Sequence, residues 1–380
     1  MAPEDTPRDD GTDREVSGYL ARLVDPDRLR AYLATQLDAV DDEGGDDAGT
    51  AAGANPFSVE RFGEGHSNET LLVSWGGREL VVRRPPPGET AERAHDVLRE
   101  YRVMDALQDT PVPVPRTLLA CEDDAVLGAE FYVMERVAGD VLRSEEPERL
   151  TTPDHRERLG EGLVDALAAI HAVDPAAVGL EEFGYPDGFT ERQVRRWGEQ
   201  LTWAFDRTAE EREVPALYDT LSWLTDNVPS DPPSGLVHGD FKLDNVVVAP
   251  GTPPEVAAVL DWELSTLGDP LTDLGWFLAH WRDPGDPPAI SELDPTFTER
   301  EGYSTRRQLV ERYEAATGIE YEHDRFYRTL AVFKLAALGE MFFRRHLEGN
   351  ADDDLYPQMR EGVPALGERA TRIIDGDEPL

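Results

Sequence analysis

Lysine is nearly missing from this chain. Of 37 basic residues in 380, only Lys242 and Lys334 are lysines, and 78 acidic residues set a formal net charge of −41. Such a field repels nucleic acid and anionic membranes, so neither is an expected partner. A single cysteine, Cys121, excludes an internal disulfide. The eight histidines are scattered, with no CxxC or HExxH spacing, so no zinc site is read. No apolar run approaches the roughly 18 residues of a membrane span, and the first residues are acidic. The reading therefore expects a cytoplasmic protein with neither span nor leader. Charge of this size alone would suit a disordered chain, but the many regular apolar runs argue for a packed one. We read the surface as adapted to high salt, where the Debye length shrinks to roughly 3 Å and self-repulsion is quenched.

What is present centres on Leu236–Val248, which contains His238-Gly239-Asp240 and Asn245, followed by Val259-Leu260-Asp261-Trp262-Glu263. The pattern is H-x-D-x4-N between short apolar runs, then an Asp after a further strand. Phosphoryl transfer needs a carboxylate that orients a hydroxyl, and an amide oxygen plus a second carboxylate for Mg²⁺. These assign Asp240 as the catalytic base, and Asn245 and Asp261 as metal ligands. Lys242, two residues after Asp240, is a second catalytic candidate that offsets charge on the transferring group. The competing reading is a solvated Asp/Asn turn.

Residues 1–55 read as an acidic tail, short helices broken near Pro26, and a linker. Residues 56–137 read as an N-lobe of strands. Its Gly63-x-Gly65 loop, followed by Ser67 and Asn68, can lay backbone N–H groups over phosphates, although an ordinary hairpin has the same look. Arg83 ends a strand where a cation can fork onto α/β-phosphates. Glu100 borders the buried stripe of a helix over 90–108 and suits a partner for that cation; both could instead be surface charges. Val126-Leu127 and Phe131–Glu135 read as two strands, with the backbone at Glu135 and Val137 as the hinge that meets a purine. Residues 138–380 read as a helical C-lobe carrying the catalytic loop and substrate pocket. There His171 reads as structural, Asp269 and Asp273 as a helix cap and a pin for the catalytic loop. Trp276 and His280 read as pocket wall or core.

The HGD-x4-N loop, Leu260–Glu263, the Gly268-Asp269-Pro270-x2-Asp273-Leu274 segment and the Gly63–Asn68 loop resemble the aminoglycoside phosphotransferase and choline-kinase-like families. Val82–Gly88, Phe131–Glu135 and Leu260–Thr266 resemble more narrowly the kinase-like domain of acyl-CoA dehydrogenase family members ten and eleven. The resemblance implies an α+β, bilobal, protein-kinase-like fold with a small antiparallel N-lobe sheet. It also implies ATP or GTP, Mg²⁺, and a small-molecule hydroxyl as acceptor, in the narrower family a hydroxyacyl compound. An acyl-CoA dehydrogenase acting in trans is an implied partner. Leu243-Asp244 replaces the Pro-Gly pair of antibiotic kinases, so aminoglycosides are not the expected acceptor. The alternative on the same fold is a catalytically weak pseudokinase or scaffold, although Asp240, Asn245 and Asp261 are all present. A protein kinase would carry an A-P-E segment after Asp261, which this chain lacks.

Overall fold

The computed structural model describes residues 18–41, 56–62, 68–87, 96–288, 295–350 and 353–380. They divide into two compact units, 1–108 with 115–137, and 109–114 with 138–380.

In the first unit, helix α1 (Pro26–Asp41) begins at the proline that ends a preceding helical turn. Strands β1 (Phe57–Arg61), β2 (Glu69–Trp75), β3 (Arg78–Arg84), β4 (Thr117–Cys121) and β5 (Phe131–Glu135) form one antiparallel sheet in the order β1-β2-β3-β5-β4. The β2–β3 hairpin turns on Gly76 and Gly77 at φ 60° and 87°, which only glycine adopts freely. Side chains alternate along each strand. Leu71, Val73, Leu80, Val82, Phe131 and Val133 therefore share one face and pack on Leu29, Leu33 and Leu37 of α1. Each such side chain contributes about 1.5–3 kcal/mol of burial. Helix α2 (Val97–Ala106) starts at Asp96, whose carboxylate accepts the Arg99 N–H at 2.9 Å.

One expectation fails here. Val126 and Leu127 lie not in a strand but in a short helix, α3 (Asp124–Leu127). Asp123 caps its start by accepting the Ala125 N–H, and Gly128 at φ 78° ends it. A two-residue apolar pair carries no period, and the flanking Asp and Gly decide its state. The strand that pairs with β5 on its outer side, opposite β3, is Thr117–Cys121.

In the second unit, β6 (Asp140–Val141), β8 (Val246–Val248) and β9 (Val256–Val259) form a small antiparallel sheet. β7 (Gly235–Val237) and β10 (Thr266–Gly268) form a ribbon. The helices are α4 (Pro153–His171), α5 (Phe189–Thr208), α6 (Pro215–Asp226), α7 (Pro270–Ala279), α8 (Arg306–Thr317), α9 (Asp324–Leu347) and α10 (Leu355–Asp375). α9 buries residues on every side, including Phe326, Leu330, Phe333, Ala337 and Phe343, and packs against α5, α7 and α10. That is the behaviour of a central helix rather than a surface one. Among the described residues, no helix is long and apolar enough to cross a membrane.

Candidate active site

β7 delivers the chain into His238-Gly239-Asp240, and the carboxylate of Asp273 on α7 receives it. Asp273 Oδ2 accepts the His238 N–H at 2.6 Å, and Oδ1 accepts the Gly239 N–H at 2.9 Å. Burial raises the Asp273 pKa, but the His171 contact and the His238 backbone N–H outweigh it and hold the carboxyl below its usual range. Gly239 has φ 85°, and a Cβ there would stand 2.6 Å from the Leu264 carbonyl. Only glycine fits both demands.

His238 is fully buried, with its ring centre 4.7 Å from that of Trp262. Its Nδ1 takes the Asp240 N–H at 3.2 Å, so the ring proton sits on Nε2 and bonds the Leu260 carbonyl at 2.9 Å. Burial lowers its pKa, in keeping with an Nδ1 that accepts. The histidine is thus a brace for the loop.

Past the turn, Asn245 Nδ2 donates to the Asp240 carbonyl at 2.8 Å and to Asp240 Oδ2 at 2.9 Å. Both donor bonds fall on one residue, which leaves Oδ1 as the acceptor for a cation. The Leu260 N–H bonds the Asn245 carbonyl at 2.8 Å, tying the end of β9 to the loop. Asp261 follows at φ 65° and ψ 63°, a left-handed conformation that Asp tolerates better than most residues. Lys242 Nζ lies 2.9 Å from Asp244 Oδ2 and 3.7 Å from Asp240 Oδ2. Burial works against its charge, but Asp240, Asp244 and Asp261 together raise its pKa.

Sequence reading did not single out a further group at this site. Lys334 on α9 donates to the Gly239 carbonyl at 2.9 Å and lies 3.6 Å from the ring centre of Trp276. The signal was lysine scarcity: both lysines of the chain meet one loop. His280 is a neighbour too. Its Nδ1 lies 2.9 Å from the Trp276 carbonyl, and burial lowers its pKa. His171 and Asp269 are structural. His171 Nδ1 meets the Tyr313 hydroxyl at 2.7 Å, and Nε2 lies 3.4 Å from Asp273 Oδ2. Asp269 caps α7 through the Leu271 N–H and accepts the hydroxyls of Thr190 and Tyr327.

In the first unit, Arg83 and Arg84 diverge, as neighbours in a strand must. Arg84 is buried and donates to the backbone carbonyls of Leu23, Pro85 and Leu127. Arg83 instead places Nε 3.4 Å from Glu100 Oε2, within ion-pair range. Asn68 is 2% exposed, and among the described residues neither atom of its amide has a hydrogen-bond partner. A buried amide without partners costs on the order of 1–3 kcal/mol. Glu135 spends its N–H on the Arg116 carbonyl. Val137 makes no backbone hydrogen bond among the described residues. Gly63, Gly65 and Ser67 lie outside the described residues.

The sequence profile of the phosphotransferase enzyme family matches residues 58–327. The chain is 34% identical over 297 residues to acyl-CoA dehydrogenase family member 11 of Homo sapiens, covering 77% of this chain and 37% of that protein. It thus spans well under half the length of that curated relative. A crystal structure from Ralstonia eutropha, assigned as an aminoglycoside phosphotransferase, superposes with a TM-score of 0.76 at 30% identity. That match covers 93% of this chain and 98% of the other. The GDP and kanamycin complex of an aminoglycoside 2″-phosphotransferase gives a TM-score of 0.59 at 16% identity, covering 90% and 98% of the two chains. The α+β, protein-kinase-like fold predicted from the sequence is the fold of this chain.

Proposed function

The chain belongs to the phosphotransferase enzyme family, and from that premise we propose that this phosphotransferase moves the γ-phosphoryl group of ATP or GTP to the hydroxyl of a small molecule. We take the acceptor to be a hydroxyacyl compound. The observation that carries the reading is the Asp240–Asn245 pair, braced at 2.9 Å beside the Lys242 ammonium. A carboxylate held by an amide at one oxygen presents the other to an acceptor hydroxyl.

Mg²⁺ fits these residues. Among the described residues there is no group of three or more His, Cys, Asp or Glu side chains able to hold a metal. The fit rests instead on Asn245, whose Nδ2 bonds both go to Asp240 and so leave Oδ1 to ligate a cation alongside a carboxylate and the nucleotide phosphates. Asn245 Oδ1 and the Asp261 carboxylate would hold the ion. When bound, Mg²⁺ neutralises charge on the β- and γ-phosphate oxygens.

The chain's own residues do the rest. Asp240 orients the acceptor hydroxyl and takes its proton as the new O–P bond forms and the bond to the β-phosphate oxygen breaks. Lys242 offsets charge on the phosphoryl group as it transfers. Arg83, held by Glu100, pairs with the α/β-phosphates. Asn68, with Gly63, Gly65 and Ser67, completes the phosphate loop, and the backbone at Glu135 and Val137 receives the base. Residues 56–137 serve the nucleotide and 138–380 the chemistry. The likeness to acyl-CoA dehydrogenase family member 11 is what supports an acyl-CoA dehydrogenase as a partner in trans. The acidic surface supports work in a high-salt cytoplasm.

The test is nucleotide consumption in molar KCl with Mg²⁺, comparing ATP with GTP across hydroxyacyl-CoAs, free hydroxy acids, aminoglycosides, choline and sugars. Positioned base catalysis contributes on the order of 10²–10⁴-fold. Asp240→Asn is expected to lose at least the lower figure while keeping nucleotide affinity. Acceptor-dependent turnover that survives in this variant would remove Asp240 from its role. Tight nucleotide binding with no turnover on any acceptor would favour a binding protein.

A further inference from the structure

We propose that Lys334 is a positioning residue for the catalytic loop: its ammonium, set over the faces of Trp276 and Trp197, holds the Gly239 carbonyl and so fixes the peptide plane from which Asp240 projects. The proposal rests on the kinase reading of Asp240 for its effect on rate, but not for the geometry.

The peptide unit between Gly239 and Asp240 is held at both of its polar atoms. Its oxygen accepts from Lys334 Nζ at 2.9 Å, and its N–H donates to His238 Nδ1 at 3.2 Å. One unit earlier in the chain, the Gly239 N–H is held by Asp273 at 2.9 Å. Glycine at φ 85° is the residue most able to let such a plane rotate. Rotating it would break the Lys334 and His238 bonds together.

The ammonium is itself fixed by two helices. Nζ lies 3.6 Å from the Trp276 ring centre on α7 and 5.6 Å from that of Trp197 on α5. Indole faces attract a cation, and most strongly where water is excluded. Among the described residues no carboxylate reaches Lys334 within ion-pair distance, although this chain carries two acids for every base. Its charge is directed at a carbonyl dipole beside Asp240 rather than neutralised.

The choice of lysine is informative, since the other 35 cations, 37 less the two lysines, are arginines. Lysine can lose its proton near neutrality and arginine cannot. Burial lowers the Lys334 pKa to about 8; Asp240 and Asp273 pull it up, while Lys242 and Arg196 push it down. The facing groups are thus Asp240 and Lys242 on the loop, Asp273 on α7 and Arg196 on α5. Of the nearby histidines, His238 and His280 are both lowered from 6.5, so neither titrates in this window. The charged form is present below about pH 8 and is lost above it. The hold on the loop weakens in the same direction.

The experiment compares Lys334→Met and Lys334→Arg with the parent chain. A hydrogen bond to a charged group corresponds to roughly a tenfold to hundredfold change in rate. Lys334→Met is expected to lose that much in kcat, with both KM values within about twofold. The parent rate is expected to fall as pH rises through about 8, and Lys334→Arg to restore part of the rate with no such fall. Two readouts need no turnover. Hydrogen exchange of the amides in 238–245 is expected to quicken in Lys334→Met. Lysine-selective ¹³Cε NMR, with only two signals to assign, is expected to show one titrating near pH 8 and missing from Lys334→Arg. Unchanged loop exchange, or a Lys334 signal titrating above about pH 10, overturns the proposal. So does an acceptor KM that rises in Lys334→Met while kcat is intact, since Lys334 would then hold the acceptor. If the parent turns over no acceptor, the function proposed above fails, and the exchange and NMR results still decide the role of Lys334.

Discussion

Replacing Asp273 with Ala would take away the acceptor of two backbone N–H groups at once. The bonds are 2.6 Å from His238 and 2.9 Å from Gly239, and the carboxylate is 1% exposed. A hydrogen bond to an ionised acceptor contributes roughly 1.5–3 kcal/mol. Two of them give about 3–6 kcal/mol, and removing the burial cost of the carboxylate brings the expected loss toward the lower end. Domains of this kind hold only about 5–15 kcal/mol in all, so the variant should unfold much more readily. Urea unfolding followed by tryptophan fluorescence suits the question, because six of the seven tryptophans lie in the second unit and only Trp75 in the first. Asp273→Asn keeps one acceptor oxygen and should lose about half as much. The pH dependence has a definite sign. The folded-state pKa of Asp273 is depressed, so its contribution is present above the unfolded value and is lost as pH falls through the folded one. Acid should therefore weaken the parent chain more than Asp273→Asn. An Asp273→Ala chain within about 1 kcal/mol of the parent at pH 7 would refute the view that these two amides depend on this carboxylate.

Two further outcomes are expected. Gly239→Ala combines a left-handed backbone, at about 1–2 kcal/mol, with a Cβ 2.6 Å from the Leu264 carbonyl. It should lower both the melting temperature and kcat, and an unchanged melting temperature would mean that the turn adopts another shape. Raising KCl from 0.1 to 1 M shortens the Debye length from about 10 to about 3 Å. For a chain of net charge −41 the melting temperature should climb over that range. A flat response would remove the high-salt reading.

How far the sequence discloses the site depends on what the chemistry demands of each residue. Asp240, Asn245 and Asp261 stood out as candidates because orienting a hydroxyl and holding a cation would call for those side chains at short, fixed spacings. Asp273 was legible as a pin, since its place after Gly268-Asp269-Pro270 puts it in the first turn of α7. Arg83 was preferred to Arg84 because it directly follows Val81-Val82, and the structure sends the two neighbours to different partners. Lys334 was hidden by distance. It lies 95 positions from Gly239 in a helix buried on every side, where no period marks one face as special. Val126-Leu127 misled for the opposite reason: two residues are too few for a period, and local capping decided them. The large charge spoke about solvent and said nothing about fold.

The loop at Asp240 is secured from residues that follow it in the chain: Asp273, Tyr313 through His171, and Lys334. On a ribosome this fixes an order of events. The last of these groups emerges 94 residues after Asp240, about 5–20 s later at 5–20 residues per second. Until then the Asp240 carboxylate has been made but not mounted. A nascent chain that holds the complete HGD-x4-N segment but not α9 would still lack the bond that fixes the Gly239 carbonyl. The anchoring of the loop is complete only once α9 has been made.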